Sequence, residues 1–151
     1  MENAMQLADY LSEKNTLVDV QASTKTGLLS NLCARAAVAV GFDEKTISCE
    51  ILKREGLGST GVGGGVAIPH ARIPGLRSAF GVLARLQKPI DFEAIDGEPV
   101  DIVFLLLLPT ATSGEDLNVL AAVARRLRNA EALRALRQAQ DGVAFHSAMV
   151  A

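Results

Sequence analysis

A chain of 151 residues, 49% of them hydrophobic, is long enough to bury one real core and too short for two ordinary domains. Its 17 acidic against 15 basic residues, a formal net charge of −2, exclude the basic surface that nucleic acid requires. The longest apolar run, Ile102 to Leu108, is seven residues where a membrane-spanning helix needs ~20, which excludes bilayer insertion.

Near the start, Glu2 and Asp9 replace the basic group and apolar stretch of a secretory signal, so a cytoplasmic protein is expected. Leu17-Val18-Asp19-Val20 alternates as a short strand. Thr24 then caps a helix running to about Val40 and ended by Gly41. Cys33 lies on that helix's apolar stripe of Leu28, Leu29, Leu32, Ala36 and Val40 and reads as a buried free thiol; with Cys49 it forms no CxxC pair. Asp43 opens a second helix, with Ile47 and Ile51 inward, that stops at Gly56 after Lys53-Arg54-Glu55. A glycine-rich loop and a short ramp, Val66-Ala67-Ile68, lead to His70. Phe80 to Leu86 reads as a strand, with Phe80, Val82, Ala84 and Leu86 on one face and Arg85 on the other.

Asp96-Gly97, flanked by Ile95 and Val100, predicts a hairpin turn. Ile102 to Leu108 is apolar on both faces and belongs in the middle of the sheet. Ser113 begins a helix whose inward face is Leu117, Leu120, Ala121, Ala124 and Leu127, and another amphipathic helix carries Leu133 and Leu136. Residues Val143 to Val150 add a last turn or two. Arg125, Arg126 and Arg128 read as a solvated helix face, with a docking patch for an acidic partner as the alternative. Interspersed strands and helices predict an α/β fold, a mixed sheet sandwiched between helices on both faces, as a single domain over residues 1–151.

The chemistry points to "GVGGGVAIPHAR", Gly61 to Arg72. Gly63 and Gly64 lie in a loop whose successive N–H groups can form an anion-binding nest, with Ser59 and Thr60 as hydroxyl donors; a plain surface turn ending in a histidine is the alternative. Arg54, whose planar fork suits phosphate, also complements a helix end. His70 has no second histidine nearby for zinc, and neither a Gly-x-Ser-x-Gly elbow nor a Walker or Rossmann loop is present. A neutral imidazole is nucleophilic and can carry a phosphoryl group itself. His146, in "VAFHSAMV", has no such surroundings and reads as a surface or packing residue.

"LKREGLGSTGVGGGVAIPHAR" closely resembles the signature of enzyme IIA components of the phosphoenolpyruvate-dependent phosphotransferase system, fructose/mannitol class. "PIDFEAIDGEPVDIVFLLLLP" and "LNVLAAVARRLRN" extend the resemblance in the right order, and the "GST", "AIPH" and "DFEAIDGEPVD" segments look most like the nitrogen-type regulatory branch. The resemblance implies that His70 is phosphorylated on its tele nitrogen, without cofactor or metal, and that Arg54 lies against the phosphoryl group, with Ser59, Thr60, Gly63 and Gly64 supporting it. It implies a small HPr-type histidine phosphocarrier protein as donor, which the glycines would let approach closely. The expected output is regulatory, toward a target such as a potassium transporter or a sensor kinase, since no fused transporter domain follows. A free-standing sugar-specific component feeding a fructose- or mannitol-type permease, and a binding module with a silent phosphate site, are the alternatives. Relatives often carry a second histidine where this chain has Asp116. Ser113-x-x-Asp116 reads as a capping box, or else Asp116 orients the His70 ring.

Overall fold

The computed structural model describes residues 6–110 and 114–151, the side chains of 114–117 excepted. Its strands are β1 (Thr16–Val20), β2 (Gly61–Gly63), β3 (Val66–Ala67), β4 (His70–Ile73), β5 (Phe80–Ile90) and β6 (Val100–Pro109). Its helices are α1 (Lys25–Val40), α2 (Glu44–Gly56), α3 (Gly114–Arg128), α4 (Ala130–Gln138) and α5 (Gly142–Val150). Among the described residues the strands make one mixed sheet in the order β1-β5-β6-β3-β2, with β4 also pairing with β6.

Local chemistry sets the helix ends. The Thr24 hydroxyl accepts the Gly27 N–H at 3.0 Å to start α1, and Gly41 takes a left-handed φ of 73° to end it. Asn129 and Asp141 accept the N–H groups of Ala132 and Ala144, each at 2.9 Å, to start α4 and α5.

β6 carries the core because every second residue faces a different helical layer. Val103, Leu105 and Leu107 pack with Leu28, Leu32, Ile47 and Ile51 of α1 and α2. Ile102, Phe104, Leu106 and Leu108 pack with Val119, Val123 and Leu127 of α3, Leu136 of α4 and Phe145 of α5. Burying each such side chain is worth ~1.5–3 kcal/mol relative to exposure, so this strand anchors both halves of the sandwich. The two-faced apolar run becomes the centre of the sheet, as its pattern requires.

Three expectations are corrected. Asp96-Gly97 does not join two strands directly. It sits in a longer β5–β6 connection, residues 91–99, where Gly97 N–H meets the Ala94 carbonyl at 2.9 Å and Ile95 is exposed. The buried face of α3 runs through Val119, Val123 and Leu127, while Ala121 is exposed and Leu120 and Ala124 are half-buried; Leu117 lies outside the described side chains. Lengthened by Val119 and Val123, that stripe keeps the three-to-four spacing with a rotated centre. Within the arginine run only Arg125 and Arg128 are exposed. Arg126 donates from Nη2 and Nε to the Ala148 carbonyl at 2.7 and 3.2 Å, holding the end of α5.

Cys33 is fully buried, and burial, with the Glu44 charge adding, pushes its thiol up to about 12. His146 packs α5 onto the N-terminal segment, its Nε2 2.8 Å from the Leu11 carbonyl.

Candidate functional site: a histidine at the break between two short strands

β3 and β4 lie end to end along β6, both parallel to it: Ala67 pairs with Val103 and His70 with Leu106. Pro69 falls between them. It has no N–H to give the ladder, so regular pairing breaks there, although its carbonyl still accepts the Leu106 N–H at 2.9 Å. The Ile68 N–H donates to the Thr60 carbonyl at 3.0 Å, and the Ile68 carbonyl turns toward the imidazole of His70, 2.7 Å from Nδ1.

That contact fixes the tautomer. A carbonyl can only accept, so Nδ1 carries the proton and Nε2 keeps its lone pair. Burial of the ring lowers the His70 pKa below its usual 6.5, and the Arg54 charge lowers it further against the opposing Ile68 bond and Glu55 charge. The imidazole is therefore neutral at neutral pH.

Alternation along β4 buries Ala71 and Ile73 and turns His70 and Arg72 the other way, half-exposed. They open onto a cleft of about 390 Å³ between the end of α2, which supplies Lys53, Arg54 and Leu57, and α3, which supplies Leu120. Arg54 projects from the last turn of α2 and donates to the Gly58 carbonyl at 2.9 Å. Arg72 donates to the Pro109 carbonyl at 2.8 Å. The cleft thus sets two guanidinium groups around one neutral imidazole. Sequence reasoning did not single out Arg72, because it placed no strand after His70; in the structure the two residues share one face of β4.

The other candidates sit elsewhere in the architecture. The Ser59 hydroxyl donates to the Phe92 carbonyl at 2.8 Å and accepts the Gly61 N–H at 3.0 Å. Thr60 is buried, its N–H and hydroxyl both given to the Glu55 carboxylate, which pairs with Lys25 at 2.8 Å. Lys25 in turn lies 4.7 Å from the Phe92 ring centre. These groups brace the loop that leads to Ile68, and of them Glu55 also acts on His70 through its charge.

Gly63 and Gly64 are not brought to His70. Gly63 pairs with Val66, opposite Ile102, four residues along β6 from the partner of His70, a separation of ~13 Å. The Gly64 N–H is given to Asp96 at 3.1 Å, and the N–H groups of Glu98 and Gly64 hold the Asp96 carboxyl below its ordinary range. Arg137 reaches the Gly64 carbonyl at 2.6 Å and grips the Asp101 carboxylate with Nε and Nη2 at 3.0 and 2.8 Å. Gly65 has a φ of 81°, and a Cβ there would lie 2.5 Å from Arg137 Nη2. The glycines therefore let the hairpin close against an arginine from α4. The Asp116 side chain and Ser113 lie outside the described residues.

Residues 9–149 match the family described as phosphoenolpyruvate-dependent sugar phosphotransferase system, EIIA 2. The chain belongs to this family. A nitrogen regulatory protein of Bradyrhizobium diazoefficiens is 41% identical over 145 residues, covering 96% of this chain and 95% of that protein. One from Escherichia coli K12 is 36% identical over 141 residues, covering 93% and 86%. The crystal structure of nitrogen regulatory protein IIA-Ntr from Neisseria meningitidis superposes with a TM-score of 0.88 at 29% identity, covering 95% of this chain and 98% of that one. The mannitol IIA of Escherichia coli, at 15% identity and a TM-score of 0.71, shares the fold. Among the described residues no helix is long and apolar enough to cross a membrane, and no cluster of three or more His, Cys, Asp or Glu is placed to hold a metal.

Proposed function

We propose that this chain is a cytoplasmic phosphocarrier that takes a phosphoryl group onto His70 Nε2 from an HPr-type histidine phosphocarrier protein and has a regulatory output. The observation that carries the reading is the Ile68 carbonyl on Nδ1, which leaves Nε2 unprotonated on a histidine that lines a cleft with Arg54. The Nε2 lone pair forms the new bond to phosphorus while the P–N bond to the donor histidine breaks, its electron pair returning to the donor ring. The proton stays on Nδ1, donated to the Ile68 carbonyl throughout, so the phosphorylated ring is a cation beside the phosphoryl anion. The donor ring leaves as a neutral imidazole keeping its own N–H, and no proton transfer is needed. Arg54 holds the phosphoryl oxygens, its charge matched to a group that stays anionic through transfer.

The nitrogen regulatory names of relatives at 41% and 38% identity support a regulatory output, with potassium transporters or sensor kinases as candidate targets. A second reading rests on a fructose-specific EIIA component of Haloferax volcanii, 33% identical over 120 residues: a sugar-specific component feeding a permease. Incubation with labelled phosphoenolpyruvate, the first enzyme of the chain and an HPr-type carrier tests the common step. Acid-labile label on the wild type and none on His70→Ala is expected. Label that persists in the variant, or that is acid-stable, contradicts it. Onward transfer to a fructose- or mannitol-type permease domain favours the second reading.

A further inference from the structure

We propose that Glu55 is a positioning residue for phosphoryl transfer: its buried carboxylate fixes Thr60 and, through Thr60, the Ile68 backbone that holds the His70 ring, and its charge acts on that ring as it turns cationic. This rests on the reading of His70 as the phosphoryl acceptor.

Glu55 stands in the last turn of α2 with its side chain only 5% exposed. Both carboxylate oxygens serve one residue: Oε1 accepts the Thr60 hydroxyl, and Oε2 accepts the Thr60 N–H at 3.1 Å. Lys25, at the start of α1, braces Oε2 at 2.8 Å and is itself steadied by Glu93 at 3.4 Å and by the face of Phe92. The Thr60 carbonyl then takes the Ile68 N–H at 3.0 Å, and the Ile68 carbonyl takes the Nδ1–H of His70 at 2.7 Å. Ile68 falls in the gap between the pairings of Ala67 and His70 with β6, so its N–H is held by Thr60 where the ladder skips it. Desolvating two buried charges largely cancels their attraction, which makes stability alone a poor account of the Lys25–Glu55 pair.

The charges around the ring set the sign of the effect. Arg54, also on α2, lowers the His70 pKa, and Glu55 raises it. Arg72 shares the face of β4 with His70, and Lys53 and Glu50 line the same cleft. When the Nε2 lone pair bonds to phosphorus and Nδ1 keeps its proton, the ring gains positive charge. A fixed, buried carboxylate stabilises that charge as it develops.

The test is Glu55→Gln made together with Lys25→Met, so that no charge is left buried alone. It is compared with wild type by ¹⁵N NMR titration of His70 and by single-turnover phosphotransfer. The His70 pKa should lie lower in the variant, because the Glu55 charge that raises it is gone, and the acid limb of the pH–rate profile should move down with it. Above that limb, where the ring is neutral in both proteins, transfer should be about tenfold slower. A pair that serves only the fold would leave the titration unmoved. An unmoved titration or a wild-type rate in the folded variant overturns the proposal while leaving His70 as acceptor; absence of label on wild type overturns both. A measurement on the wild type alone guards against a variant that does not fold. The ¹³Cδ signal of Glu55 should shift when Nε2 is phosphorylated, and an unchanged signal overturns the proposal.

Discussion

Replacing Arg54 with alanine tests whether this residue serves the phosphoryl group or the fold. Among the described residues this half-buried side chain makes one hydrogen bond, to the Gly58 carbonyl at 2.9 Å, just beyond the end of α2. A cation at a helix C-terminus contributes ~0.3–1 kcal/mol, and domains of this size have ~5–15 kcal/mol of stability in hand. Arg54→Ala should therefore fold and melt only a few degrees lower. A charge-assisted bond to the phosphoryl group is worth ~1.5–3 kcal/mol, which slows transfer by roughly ten- to a hundredfold if the bond tightens in the transition state. The substitution also removes a charge that lowers the His70 pKa, so that pKa rises toward its usual value. The acid limb of the pH–rate profile should shift upward as more of the imidazole is protonated at a given pH. Thermal melts, single-turnover phosphotransfer and the pH profile read these effects separately. Wild-type rate and an unmoved profile, or loss of the fold, would refute the reasoning.

Further expectations concern the rest of the molecule. Gly65→Ala should destabilise by about 1–3 kcal/mol through its left-handed φ of 81° and displacement of Arg137, and by more than Gly64→Ala, which meets open space; chemical denaturation compares them. Because the His70 pKa is lowered in the folded state, the unfolded chain binds more protons between that value and 6.5. Stability should therefore fall as pH drops through this window, and His70→Gln should remove that part of the dependence in melts against pH. Cys49 is exposed whereas Cys33 is buried with its thiol pushed up to about 12, so a thiol reagent at neutral pH should titrate one cysteine in the native protein and two after unfolding.

What could be read in the sequence was local or periodic. Thr24 and Gly41 bound α1 because capping chemistry acts within a turn, and β6 declared its central position through an unbroken apolar run. The glycine loop was legible as unusual but not in its purpose, because Arg137 and Asp101, which it closes against, lie 73 and 36 residues from their partners. The same limit hid the consumption of the Ser59 hydroxyl by Phe92, 33 residues away; the Thr60 hydroxyl goes to Glu55, only five residues back, because the chain folds over the end of α2. Arg72 was hidden differently. The break at Pro69 restarts the alternation, so only the strand that follows reveals that it shares the face of His70.

The proposal comes down to one atom, His70 Nε2, with the Nδ1–H donated to the Ile68 carbonyl. NMR of ¹⁵N-histidine-labelled protein, before and after phosphorylation through an HPr-type carrier, measures it directly. The unmodified protein should show the His70 ring as the neutral Nδ1–H tautomer at neutral pH. The phosphorylated protein should show ³¹P coupled to Nε2 of the same ring, with Nδ1 still carrying its proton. Phosphorus on Nδ1, on His146, or on no histidine would contradict the account.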